Sequence, residues 1–273
     1  MTEKEKDIKI IIACHKKCKT PIDPVYLPLQ VGAAGSESMG YVRDDDGDNI
    51  SSKNPMYCEL TGLYWAWKNL SCDCLGLVHY RRYFSAKSKA YRKGRHPFDC
   101  VLSSRQTKSL LDSYKLIVPR KRKYYVETLS SHYAHTLDEE HLMIARSVIR
   151  EKSPSYLKAF DRVLNQKYGY MFNMFITSKA ISDEYCSWLF PILEELEKHI
   201  DSSGMSDFER RWPGRVSEIL FNVWLEYSIQ TGHLRRSDIK EISHIYTGKI
   251  DYVKKATSFV KAKLFHKKYN KSF

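Results

Sequence analysis

The sequence predicts an α/β protein, one layered domain with a mostly parallel central sheet flanked by helices. Two observations carry this expectation. Short β-branched and aliphatic runs bounded by turn residues, the mark of buried strands, alternate with longer segments whose apolar residues recur at helical spacing. Alternation of that kind favours parallel pairing, because a crossover is needed to return the chain in the same direction. The composition agrees: 42% hydrophobic and 28% charged residues, with 12 Gly and 9 Pro in 273 residues, describe a chain that can bury a core without metal or disulfide staples.

The first strand is residues 8–14, I-K-I-I-I-A-C. Residues 15–28 read as a loop holding Pro21, Pro24 and Pro28, and residues 30–35 as a second strand or a close backbone approach. Residues 40–55 are polar and turn-rich. An amphipathic helix follows over residues 56–68, with Leu60, Leu63, Tyr64 and Trp67 on one side. Residues 74–80, C-L-G-L-V-H-Y, form another buried strand that runs into Arg81-Arg82. Residues 99–102 and 116–119 are two further short strands, with a helix over 103–112 between them. Residues 127–164 are mostly helical, Pro154 opening a new segment; residues 168–177 are strand-like, and residues 179–200 and 216–229 are helices. No repeat or linker divides the chain. It reads as one domain over residues 1–251 and a basic tail over residues 252–273.

The net charge of +13 is concentrated in that tail, where Lys254, Lys255, Lys261, Lys263, Lys267, Lys268 and Lys271 stand with no acid. Val253, Ala256, Phe259, Val260, Leu264 and Phe265 recur there near helical spacing. The pattern suits an amphipathic element on an anionic membrane surface, each lysine adding about 1 kcal/mol; a solvated, frayed tail is the alternative. No nucleic-acid recognition module accompanies the charge, so nucleic acid is not an expected partner. No window approaches the roughly 20 apolar residues of a bilayer span, and the charged start, Met1 to Lys6, carries no signal segment. A cytoplasmic protein at the inner face of the cell membrane is expected. The seven cysteines, Cys14, Cys18, Cys58, Cys72, Cys74, Cys100 and Cys186, are odd in number and lack C-x-x-C spacing, so reduced structural thiols are expected.

Two stretches invite chemistry. Asp44, Asp46 and Asp48 occupy the first, third and fifth places of a calcium loop, but Asn49 stands where Gly is needed and Pro55 where Glu is needed. What survives is an acceptor-rich loop that either holds sugar hydroxyls or a nucleoside, or is a solvated turn; spacing does not choose. The cluster His79-Tyr80-Arg81-Arg82-Tyr83-Phe84 stands at the carboxyl end of a buried strand, where open α/β sheets place ligands. Adjacent guanidiniums there suit bidentate recognition of a phosphate, or an ion pair with the acidic loop. The phosphate-binding glycine motifs and the H-E-x-x-H zinc motif are absent, and His132, His135 and His141 read as surface or core histidines.

The blocks N-I-S-S-K-N-P-M-Y-C-E-L-T-G-L-Y-W-A-W-K-N (residues 49–69) and L-G-L-V-H-Y-R-R-Y-F (residues 75–84) resemble a family of bacterial polysaccharide glycosyltransferases. That family was long catalogued as a domain of unknown function in capsule, exopolysaccharide and O-antigen clusters, and it includes galactofuranosyltransferases. Further matches are the segments around His132 to Asp138, Phe172 to Ile176, Tyr185 to Leu193 and Ser217 to Leu225, so the likeness covers about residues 8 to 230. A departure follows Gly214, where Arg215 stands in place of a more apolar residue.

The resemblance implies a GT-A-like fold and a hexosyltransferase that uses a nucleotide-sugar, a UDP-sugar first among them, on a lipid-linked saccharide. Arg81 and Arg82 would clamp the diphosphate beside Tyr80, and His79 would hydrogen-bond it or the sugar. Asp45, Asp48, Asn49 and Lys53 would meet the nucleoside or sugar, with Asn173, His132 and Arg215 on the acceptor side. Glu218 is the first choice for general base, with Asp207 and Glu209 in reserve; a helix-capping role is the alternative for Glu218. Cationic side chains at the strand end can replace a metal on the leaving diphosphate, so no cofactor is required, although Asp44, Asp46 and Asp48 keep Mn or Mg open. The rival expectation is a non-catalytic nucleotide- or saccharide-binding scaffold.

Overall fold

The structure is a computed structural model that describes residues 6–248. The basic tail therefore lies outside the described residues. Ten strands are assigned: β1 (Ile8–Cys14), β2 (Tyr26–Gln30), β3 (Val42–Arg43), β4 (Cys74–His79), β5 (Arg82–Ser85), β6 (Leu116–Pro119), β7 (Arg122–Lys123), β8 (Tyr168–Gly169), β9 (Phe175–Ser178) and β10 (Ile239–Tyr246). The helices are α1 (Asn54–Tyr57), α2 (Leu60–Asn69), α3 (Lys89–Arg92), α4 (Ser104–Ser113), α5 (Leu129–Ala134), α6 (Glu140–Lys152), α7 (Leu157–Leu164), α8 (Lys179–His199) and α9 (Trp212–Gln230).

Eight strands form one sheet in the order β3-β2-β1-β4-β5-β10-β6-β9, with β4 also pairing β9. The expectation of a mostly parallel sheet is corrected: β3, β2, β1 and β4 are parallel neighbours and β6 is parallel to β10, but β5 and β9 run antiparallel to every partner. The reason lies in the connections. Only Tyr80 and Arg81 separate β4 from β5, far too few residues for a crossover. The pairings β4–β9–β6–β10–β5 return to β4, so the sheet forks at the end of that strand. Cys74 to Leu77 pair with β9, whereas His79 pairs with Arg82 of β5.

The core has two halves, one on each face. β1 alternates between them, Ile11 and Ala13 facing one cluster and Ile8, Ile10 and Ile12 the other. The larger half is covered by α2, α6, α8 and α9 around Trp212, Phe160 and Leu63, all fully buried. α2 lies close because Gly62 faces the sheet: a Cβ there would stand 2.8 Å from Val31 Cγ1.

Other local expectations shift. Residues 30–35 are mostly turn, and the second strand begins inside the supposed loop at Tyr26, because Pro28 tolerates a ladder that asks nothing of its nitrogen. The helix expected over residues 56–68 breaks at Cys58, whose φ of 52° ends α1 before α2 starts. Residues 97–100 form a 3₁₀ turn opened by Pro97 rather than a strand. The strand-like residues 168–177 divide into β8 and β9, because Phe172 and Asn173 between them take φ of 78° and 51°. Pro213 and Gly214 sit in the first turn of α9 rather than before it, as proline's missing N–H permits.

Candidate functional site

The parallel strands β1 and β4 end side by side at Cys14 and His79, His15 following β1, and α9 brings its N-terminal turns to the same edge. Glu218 lies in the second turn of α9, 7% exposed. No side chain caps that helix, so the capping role weighed for Glu218 is not the one it plays. Phe172 donates its backbone N–H to the Glu218 carboxylate, and the Phe172 carbonyl accepts a hydrogen bond from His79 Nε2 at 2.6 Å. A single strained residue thus joins an acid and an imidazole from opposite sides of the fork.

Asn173, 4% exposed, continues the link. Its amide donates to Glu59 Oε1 at 2.8 Å and to the Gly214 carbonyl at 3.2 Å, and its carbonyl oxygen accepts from the Ser217 hydroxyl at 3.2 Å. Glu59, between α1 and α2, is thereby placed beside Glu218. Burial pushes the Glu218 carboxyl above the ordinary glutamate range; Arg215 opposes the shift and Glu59 adds to it. Burial likewise pushes His79 down, so it is neutral near pH 7 and donates as drawn.

The cations surround this pair. The Arg82 guanidinium stands 4.6 Å from the Phe172 ring centre and 5.7 Å from that of Tyr246; burial lowers its pKa, and the charges of Glu218 and Glu59 counter that loss. Arg81 is exposed, 4.8 Å over Tyr80 and 5.7 Å over Tyr246. The Tyr80 hydroxyl reaches His15 Nε2 at 3.4 Å, and His15 is pushed down first by burial and then by Lys16, Arg81 and Arg211. On the far side of Glu218, Tyr124 lies against His132, ring centres 4.2 Å apart, within the field of Arg122 and Arg215. His132 and His135 both bind Glu127, at 3.0 and 2.7 Å. A buried carboxylate therefore sits inside a ring of guanidinium groups, an arrangement able to take a proton next to a bound polyanion.

The structure brings His79, Tyr80, Arg81, Arg82, Asn173, Arg215 and Glu218 to one edge. The residues of the acidic loop are engaged elsewhere. Asp45 pairs with Arg43 at 2.7 Å, which holds its carboxyl below the usual range, and Lys53 pairs with Glu197. Asp48 accepts from Tyr64 at 3.1 Å, and Asn49 bonds the Asp45 and Gly47 carbonyls. Asp207 is exposed, and Glu209 accepts from the Ser206 backbone and hydroxyl. Buried Asp44 accepts from the Gly32 and Ala33 amides and the Ser51 hydroxyl. These partners engage the loop, and among the described residues no group of three His, Cys, Asp or Glu side chains is placed to hold a metal ion. Glu59, Phe172, Ser217, Tyr246, Arg122 and Tyr124 were not singled out from sequence. Glu59 stood inside the E-L-T-G-L-Y-W block and Phe172 beside Asn173, so proximity to a shared motif was their only signal.

The fold and this cluster define a class. The chain belongs to a family described as a domain of unknown function, DUF4422, whose model matches residues 9–230. Its structure is similar to the apo structure of WbbM, a bifunctional glycosyltransferase, with a TM-score of 0.80 and 30% identity over 89% of this chain and 46% of that one. This chain thus spans less than half of that protein's length. No protein with a curated description matches.

Proposed function

We propose that this chain is a glycosyltransferase of GT-A-like architecture that moves a hexose from a nucleoside-diphosphate donor, a UDP-sugar first among them, to a hydroxyl of a lipid-linked saccharide in the synthesis of a bacterial surface polysaccharide. The observation that carries the reading is buried Glu218, held by the Phe172 amide within the field of Arg82, with exposed Arg81 next to Arg82. The likeness to a bifunctional glycosyltransferase supports it.

In this reading Glu218 accepts the proton of the acceptor hydroxyl as its oxygen bonds to the anomeric carbon. The bond from that carbon to the donor diphosphate breaks, and its electron pair leaves on the phosphate oxygen. Exposed Arg81 and half-buried Arg82 meet the growing negative charge, which fixed cations stabilise as it develops. Asn173 fixes Glu59 and Ser217 around the base, and Arg215, Arg122 and His132 face the acceptor side. Galactofuranose is one of the donor sugars to try.

Incubation with a panel of nucleotide-sugars, followed by release of free nucleoside diphosphate, tests the reading. Glu218→Gln is expected to lower kcat by about 10²–10⁴-fold while donor binding survives, and Arg81→Ala to raise the donor KM and slow turnover. A Glu218→Gln variant with the wild-type rate removes the base assignment. Donor binding with no release, whatever acceptor is offered, leaves the scaffold reading in its place.

A further inference from the structure

The small sheet of β7 and β8 borders the site, since Tyr124, the residue after β7, packs on His132 and lies in the field of Glu218. Arg120 and Lys121 lead into β7, Arg122 and Lys123 form it, and Lys167 stands just before β8; all but Lys121 are exposed. At the tip, Tyr125 and Val126 are 79% and 81% exposed, and Tyr168 on β8 is 42% exposed. The tip is built rather than loose. Tyr124 N–H donates to the Lys167 carbonyl at 2.8 Å, Val126 N–H to the Tyr124 carbonyl at 2.7 Å, and Tyr125 is held at φ 59°, a conformation an ordinary side chain adopts at a cost. Acids do little to offset these cations: Glu241 stands 3.6 Å from Lys121, and Glu127 is taken by His132 and His135.

We infer that this ribbon and its Tyr125–Val126 tip form a lip that docks on an anionic lipid surface and sets the mouth of the site against the bilayer. Adjacent apolar and aromatic side chains held clear of the domain, within a collar of cations, match the boundary between acyl chains and acidic headgroups. A second basic patch serves as contrast. Around Tyr91, Lys87 and Arg95 stand 4.9 and 4.3 Å over the ring, which is only 40% exposed, so charge is present there without a free apolar tip. The lip lies within the described residues 120–168.

The test is co-sedimentation of the full chain with phosphatidylcholine vesicles, with and without phosphatidylglycerol, in the absence of any donor. Wild type is expected to bind the acidic vesicles. Tyr125→Ser/Val126→Ser is expected to weaken binding about tenfold or more through loss of the apolar surface that enters the interface. Lys123→Ser/Lys167→Ser is expected to weaken it about tenfold or more, as loss of roughly fivefold per basic residue implies. Lys89→Ser/Lys93→Ser removes the same charge from the Tyr91 patch and is expected to change binding by less than about threefold, because that patch offers no free apolar tip to insert. The substituted side chains are exposed, so thermal melts should match wild type. Lip variants that bind as wild type does, a control pair that weakens binding as much, or no binding of wild type to acidic vesicles overturns the inference. Donor turnover is measured separately, and Tyr125→Ser/Val126→Ser should leave it unchanged with a soluble acceptor. Failure of the lip and failure of the transferase reading are thus told apart.

Discussion

Phe172 and Asn173 hold left-handed backbone conformations that cost of order 1–3 kcal/mol each for residues with side chains. The strain persists because both ends of the pair are tied, to Glu218 and His79 through the Phe172 backbone and to Glu59, Gly214 and Ser217 through the Asn173 amide. The same ties set the proton chemistry. A general base must be ionised, and burial holds the Glu218 carboxyl above the ordinary range, so kcat/KM should rise with pH through a value above the usual 4.3 or so for glutamate. The Glu59 charge adds to that rise, so Glu59→Gln should move the acidic limb of the pH profile to lower pH. A limb that stays in place would separate Glu59 from the base. Stability gives a second readout. A carboxyl whose folded pKa is raised stabilises the fold below its unfolded pKa, and that contribution is lost as pH rises through the folded value. Glu218→Gln should therefore melt higher than wild type at pH 8, with the difference shrinking toward pH 4; a lower melt at pH 8 would contradict the shift.

At the scale of elements, α2 explains most of the block E-L-T-G-L-Y-W-A-W-K-N. Glu59 precedes the helix and enters the site, while Gly62 lets it approach Leu29 and Val31. Trp65 Nε1 donates to the Asp46 carbonyl at 3.1 Å, and Asn69 exchanges hydrogen bonds with the Asp48 backbone at 3.1 and 2.8 Å. The helix thus clasps the acidic loop and pins its backbone. Gly62→Leu should lose about 3 kcal/mol of stability, since overpacking against Val31 Cγ1 outweighs a helix-propensity gain of about 1 kcal/mol. Chemical denaturation with an unchanged m-value reads this directly; a neutral result would mean that α2 can move off the sheet.

Across the whole molecule, all seven cysteines are free, in keeping with a chain that needs no covalent staple. Among the described residues no helix is long and apolar enough to cross a membrane. In the proposed mechanism the cations at the site edge hold a diphosphate, and a ligand that binds only the folded state raises its stability by RT ln(1 + [L]/Kd). Uridine diphosphate at about a hundredfold excess over Kd should stabilise the protein by about 2.7 kcal/mol. The shift should survive EDTA, because guanidinium groups rather than a metal meet the charge in the proposed mechanism. It should vanish in Arg81→Ala/Arg82→Ala. A shift that EDTA abolishes would put a cation in the donor site.

Much of this architecture was legible in the order of residues. The strands at residues 8–14 and 116–119 and the helix over 179–200 sit within a residue of where aliphatic runs and helical spacing put them, because those patterns record one element's own burial. The placing of His79 to Arg82 at a strand end followed from the same local signal. β10 escaped because Ile239, Ile242 and Ile245 recur every third residue, unlike the alternation of a half-buried strand, and only its neighbours β5 and β6 make it one. Strand direction escaped because it depends on whether the chain between strands is a two-residue turn or a crossover, and then on which partner is nearest. The meeting of Glu59, Phe172, Asn173 and Glu218 was beyond any window of sequence. It arises where β4 exchanges β9 for β5, which frees the chain before β9 to lift off the sheet and bind residues from α9 and the start of α2. Periodicity is written in each segment, whereas convergence exists only once the segments pack.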